Sequence, residues 1–206
     1  MRLGSRSFGA MAKRPDPGPA LFDMPAELYR FLLVISPSKA LADKVSAMKS
    51  LLAEHIGSFS GRHSIPHITL FYADLPIECE RDLCEGIARG VAGHRSFTLH
   101  YNGIKHFPDK RTIYIDPVQK EAIAPVRKRT VQHVRNFPRT KKGIKPTDHP
   151  HLTIAAGLKP AQFEKAWEML KPHAHVSEEE VKEVVLLRRA LREGARYENV
   201  RTFPLG

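Results

Sequence analysis

Sulfur is scarce in this chain, with two cysteines, Cys79 and Cys84, among 206 residues. Both fall on one predicted amphipathic stretch but face different directions, so no mutual disulfide is expected, and such usage suits a reducing cytoplasm. No run approaches the roughly 18 apolar residues that a spanning helix needs. There is no Gly-x-x-x-x-Gly-Lys-Ser/Thr loop and no dinucleotide fingerprint, so ATP-driven chemistry has no support. His-Glu-x-x-His and Cys-x-x-Cys are missing too, which leaves a zinc site without its usual spacings. Acid is short: 22 Asp and Glu stand against 33 Lys and Arg, a net charge of +11. That surplus favours a polyanionic partner, nucleic acid ahead of a membrane surface, because no amphipathic anchor is evident.

What is present is enough for a core: 42% of residues are hydrophobic, in a length that makes one large domain or two small lobes. Residues 1–26 carry arginines, glycines and prolines but lack the apolar middle of a secretory signal. They read as a disordered leader, with Met11 and Met24 as other candidate starts. The folded part is expected over 27–206. Tyr29 to Ile35 predicts a strand, and Leu41, Val45, Met48, Leu51 and Leu52 keep helical spacing up to Gly57. A strand from Pro66 to Ala73 and a helix from Ile77 to Val91 follow. Strands are expected at 97–101 and 112–115, a basic helix at 120–136, and a loop rich in Lys and Pro at 138–146. A strand at 149–155, a helix at 161–170 and strands at 181–188 and 200–205 complete the chain. The order strand–helix–strand–helix–strand therefore occurs over 29–101 and again over 112–188, which predicts a duplicated α+β unit with two lobes about a pseudo-two-fold axis.

One phrase is spoken twice, at corresponding places of that duplication: Pro66-His67-Ile68-Thr69-Leu70 and Pro150-His151-Leu152-Thr153-Ile154. On a strand, side chains two apart share a face. Each copy thus presents an imidazole and a hydroxyl together while its aliphatics enter a core. A lone His on a strand is usually just packed or solvated; two matched copies argue for a shared cleft. A phosphodiester held there meets one neutral imidazole able to take a proton and one imidazolium able to give one. The threonine hydroxyls can donate to phosphate oxygens where charge builds.

These residues resemble the paired signatures of the two-histidine phosphoesterase superfamily, in its LigT-like, or bacterial 2′-5′ RNA ligase, branch. The similarity covers about 28–205 and includes the opening strand, the Phe107-Pro108 turn and the ending Phe203-Pro204-Leu205. It implies an α+β bilobal fold, with two antiparallel sheets of duplicated strand–helix units facing a central cleft. It also implies metal-independent chemistry on 2′,3′-cyclic phosphates or 2′-5′ linkages of RNA, hydrolysis leaving a 2′-phosphate and ligation using the same chemistry with a 5′-hydroxyl. His67, Thr69, His151 and Thr153 match the motifs; which His is the base stays open.

The remaining candidates are substrate contacts. Between Ala122 and Thr147 there is no acid, yet Arg127, Lys128, Arg129, Arg135, Arg139, Lys141, Lys142 and Lys145 lie there. A basic stretch beside a phosphate site can track an RNA backbone, and the loop holding Arg139, Lys141 and Lys142 is the preferred part. Phe107 is the preferred ring for a base to stack on, ahead of Tyr29 and of Phe31, which reads as core; Lys105 and His106 beside it are weaker candidates for phosphate or ribose. Metal binding is the rival use of His149-Pro150-His151, His173-Ala174-His175 and the His63/His67 pair. The expectation is a cytoplasmic, monomeric, cofactor-free cyclic phosphodiesterase acting on RNA or a nucleotide. The alternatives are a reversible 2′-5′ RNA ligase and an RNA-binding protein whose turnover is incidental.

Overall fold

Strand β1 (Leu28–Ile35) sends Phe31, Leu33 and Ile35 into the main core, while Leu32 and Val34 join Val185 in a small cluster on the opposite face. This is the two-residue period of a strand covered on both sides. Helix α1 (Lys39–Ile56) starts where the Ser38 hydroxyl accepts from the Leu41 N–H at 3.3 Å, and it ends at Gly57 with φ 75°. The computed structural model describes residues 27–107, 109–118, 120–173 and 175–206; the expected leader and Pro108 lie outside them. In order, the remaining elements are β2 (Ile68–Pro76), a 3-10 turn (Ile77–Cys79), α2 (Glu80–Val91), β3 (Phe97–Phe107) and β4 (Thr112–Pro117). They continue with α3 (Lys120–Arg135), β5 (Ile144–Pro146), β6 (Leu152–Ala155), α4 (Pro160–Leu170), β7 (Val176–Val181), β8 (Glu183–Ala190) and β9 (Glu198–Pro204).

The nine strands form one antiparallel sheet with two halves, β2-β1-β8-β9 and β6-β4-β3-β7, and β5 alongside β2. The pair Ile68–Leu152 bridges them, so the strands form one continuous path whose middle is the two histidine strands. Each repeat lends its third strand to the other half: β3 lies beside β4, and β8 beside β1. The helices are shared in the same way, α2 packing on α3 and α1 on α4. At the α2–α3 contact, Gly86 and Gly90 let the helices nearly touch. A Cβ on Gly90 would stand 2.4 Å from the Thr130 Cα.

Two strands were not expected. β7 contains Glu178-Glu179-Glu180, an acidic cluster that precedes the strand expected at 181–188. On an edge strand the outer two face solvent while Glu179 turns inward to accept from the Ser38 N–H and the Tyr101 hydroxyl. β5 lies inside the Lys/Pro loop and pairs Lys145 with Tyr72. β3 also runs six residues beyond its expected end, carried past a register shift between Tyr101 and Ile104. Cys79 sits in the 3-10 turn rather than on α2, and both cysteines are free.

Candidate active site

Proline fixes its own φ and forces the residue before it into extended backbone. Pro66 and Pro150 therefore aim the carbonyls of Ile65 and His149. Each carbonyl accepts a hydrogen bond from the imidazole two residues on: His67 Nδ1 to Ile65 O at 2.7 Å, and His151 Nδ1 to His149 O at 2.7 Å. A carbonyl only accepts, so Nδ1 must carry the hydrogen in both rings. The neutral form of each histidine then has its lone pair on Nε2, available to chemistry.

The strands repeat each other beyond the motif. On β2, Ile35 opposes Ile68, Val34 opposes Thr69, and Leu33 opposes Phe71, so Leu70 is an extra residue. On β6, Ile115 opposes Leu152, Tyr114 opposes Thr153, and Ile113 opposes Ala155, so Ile154 is extra. In both strands a β-bulge directly follows the threonine. A bulge puts two successive side chains on one face and re-aims those around it. Here Leu70 and Phe71 both enter the core, which keeps Tyr72 on the face of His67 and Thr69. Ile68 and Leu152, the bridging pair, are fully buried, while His67, Thr69, His151 and Thr153 are all half-buried. The four polar side chains thus stand on one side of the junction. His67 and His151 are diagonal neighbours across it, a relation that ordinary sheet geometry sets at about 7–8 Å between Cα atoms.

Burial pushes the His67 ring below the ordinary imidazole value, against the bond from Ile65 O; Lys49 and His151 lower it further. His151 is likewise depressed, first by burial and then by Lys110, Lys120 and His149, against its own carbonyl bond.

Phe107 is brought to the site. It stacks on Tyr114 (centroids 4.4 Å apart, planes at 25°), and both rings lie against His151, at 5.3 and 5.1 Å. Lys110 lies 5.5 Å from the Phe107 centroid. Tyr114 went unremarked in the sequence, although its alternation with the buried Ile113 and Ile115 marks it as facing the other way. Lys49 was missed too. It is 2% exposed, with Nζ donating to Ser64 O at 2.7 Å, Ser64 Oγ at 2.9 Å and Gly61 O at 3.2 Å, in the loop that delivers His67. No spacing in the sequence gives that interaction away.

Other candidates go elsewhere. Lys105 pairs with Asp116, which also holds Lys120. Burial alone would raise the Asp116 carboxyl, but these two ammoniums keep it below its ordinary value. His106 turns to the helix side and packs on Trp167 and Phe163 of α4. Phe31 is core, and Tyr29 bonds Glu27 at the far end of β1. Arg139, Lys141 and Lys142 are exposed in the loop before Gly143, which packs on Leu75; that is eight residues, about 26 Å of strand, from His67. His63 is exposed and His175 is buried against Ser177. Among the described residues no three His, Cys, Asp or Glu side chains gather as a metal site, and no helix is long and apolar enough to cross a membrane.

Comparison with known proteins bears on the fold and the family. Crystal structures of E. coli LigT superpose with TM-scores of 0.62 for its complex with 3′-AMP (14% identity, 86% of this chain and 98% of that one) and 0.61 for its complex with ATP (16%, 87% and 99%). The TT0787 protein of Thermus thermophilus gives 0.61 at 17% identity, over 85% and 97%. At such identities the likeness is one of fold. A search of curated proteins returned no match. The family model described as the 2′-5′ RNA ligase superfamily matches residues 37–193, a span containing both histidine–threonine pairs, and the chain belongs to that superfamily.

Proposed function

We propose that this protein is a metal-independent phosphodiesterase that opens the 2′,3′-cyclic phosphate of an RNA end or nucleotide to a 2′-phosphate. The observation that carries this reading is the matched pair of Nδ1–carbonyl bonds, which leaves two Nε2 atoms of equal tautomer on one face of the junction. Water attacks phosphorus and gives its proton to one neutral imidazole. The bond from phosphorus to the 3′ oxygen breaks, and that oxygen takes a proton from the other, charged, imidazole. Thr69 and Thr153 donate to the non-bridging oxygens, where charge accumulates. Each well-placed acid or base is worth about 10²–10⁴-fold.

The aromatic pair sets the pose. Val34 stands opposite Thr69 where Tyr114 stands opposite Thr153, so a base finds its stacking surface, Phe107 on Tyr114, in the second lobe. The ribose and its departing 3′ oxygen then lie toward His151, making it the acid and His67 the base. The same steps with a 5′-hydroxyl in place of water form the bond from phosphorus to the 5′ oxygen and break that to the 3′ oxygen, which is 2′-5′ ligation, and the family's name favours it as the second activity. The ligands of the E. coli LigT complexes, 3′-AMP and ATP, support a nucleotide in this cleft.

The test is turnover of a nucleoside 2′,3′-cyclic phosphate and of a cyclic-phosphate-ended oligonucleotide, with chelator present. His67→Ala and His151→Ala are each expected to lose at least about 10²-fold in kcat while still binding RNA. A double variant as active as the parent overturns the mechanism, and loss of parent activity in chelator transfers the reading to a metalloenzyme.

A further inference from the structure

On the outer side of α3 runs a groove of about 980 Å³, floored by the helix and walled by the segment that returns from it to the second motif. Its cations are Arg127, Lys128, Arg135 and Lys141, and Asp148 is its single carboxylate. Two of the arginines build the wall: Arg135 donates to Ile144 O at 3.0 Å, and Arg127 donates to Thr147 O. Those bonds tie the returning segment to the helix and leave the exposed Lys128 and Lys141 ammoniums to the groove. A second hollow shares Ala124, Arg127 and Asp148 with the first and adds Lys120, Glu121 and Pro150. The two make one trough that ends at Pro150, the residue before His151.

We infer that this trough seats the RNA chain that trails from the reacting end, so that the substrate is an oligonucleotide rather than a free cyclic nucleotide. The inference rests on the reading above for what lies in the cleft, but the groove has its own chemistry. α3 is about 24 Å long, far longer than one nucleotide, and its cations lie along that length. Lys141 acts here, in the wall, and not at the histidines. A backbone of phosphates fits a line of five cations, Lys120, Arg127, Lys128, Arg135 and Lys141, that outnumbers the two carboxylates, Glu121 and Asp148; an acidic lipid surface, being flat, reaches fewer of them inside a groove.

Lys128→Glu combined with Gln132→Glu, both exposed on α3, places two carboxylates in the trough without touching the bonds that tether its wall. Binding is read by anisotropy of a labelled single-stranded RNA with a cyclic-phosphate end, across a series of salt concentrations. The variant is expected to bind at least tenfold more weakly, with a salt slope shallower by about 0.7 for each phosphate that the trough ceases to neutralise, while its turnover of a mononucleoside cyclic phosphate matches the parent. Unchanged affinity and slope overturn the proposal. So does an equal loss on the mononucleoside, or a loss of binding to phosphatidylserine vesicles with RNA binding intact. A parent enzyme that turns over neither substrate defeats the proposed activity alone, since anisotropy still decides the groove.

Discussion

A proline directly before a histidine, by aiming the carbonyl that precedes it, decides which ring nitrogen is left free. Because Ile65 O and His149 O can only accept, each ring leaves Nε2 free, the atom that the proposed reaction uses, and the Pro-His-x-Thr order holds that tautomer. Pro150→Gly frees His149 from extended backbone and releases that carbonyl; kcat should fall by about tenfold or more with KM little changed, as steady-state kinetics will reveal. The pH dependence follows from both rings being depressed by burial. The base must be neutral, so activity fades as pH drops through a value below the ordinary 6.5. The acid must be charged, so activity fades again as pH rises through another value below 6.5. The optimum of kcat/KM, which reports the free enzyme, should therefore lie on the acid side of 6.5. A bound phosphodiester anion raises both values, so the kcat profile should sit at higher pH than that of kcat/KM. An optimum above pH 7 for kcat/KM contradicts the arrangement. The roles separate with a cyclic phosphate bearing sulfur at the departing 3′ position: a thiolate leaves without a proton, so it should rescue His151→Ala and not His67→Ala.

At the scale of elements, the histidine strands are held from outside their own sheet. Lys49 on α1 reaches the 58–65 loop with three bonds, and burial brings its ammonium down to about 8. Lys49→Met fills much of the same space but takes the ammonium from Ser64 O and Ser64 Oγ, while Gly61 O keeps its bonds from the Ser64 N–H and hydroxyl. A hydrogen bond from a charged donor is worth about 1.5–3 kcal/mol, so thermal unfolding should shift down. Turnover should fall as Ile65 loses its place; full activity with a lowered Tm confines Lys49 to stability. This is also where the sequence stops being legible. The histidine strands, all four helices and their order can be read from periodicity and caps, because those signals are local. The bulges at Leu70 and Ile154 leave no local mark, and without them strict alternation sends Tyr72 into the core and Phe71 out of it. β7 was hidden for a related reason: Glu179 is satisfied only by groups more than 70 residues away, the Ser38 N–H and the Tyr101 hydroxyl.

For the molecule as a whole, duplication did not produce two separable halves. β8 completes the sheet of the first repeat and β3 that of the second, so each half owns a strand made by the other. The main core runs unbroken from Phe31 and Leu33 through Ile68 and Leu152 to Ile113 and Leu99. α1 touches β6, and α3 touches β2 and β3, so helices of one repeat lie on strands of the other. A cleft at the junction gains from this: the two imidazoles keep a fixed relation because no hinge of independent lobes lies between them. Independent lobes would let that diagonal spacing fluctuate, and a misplacement of about 1 Å can cost 10²-fold in rate. The expected result is one cooperative unfolding transition with equal calorimetric and van't Hoff enthalpies. A chain cut after Lys182, which keeps every strand of the second sheet but takes β8 from β1, should then fail to give a protected second half by hydrogen exchange. Two resolved transitions, or a protected half in the shortened chain, would mean that the lobes fold alone and that the exchange of strands is not what holds the histidines in register.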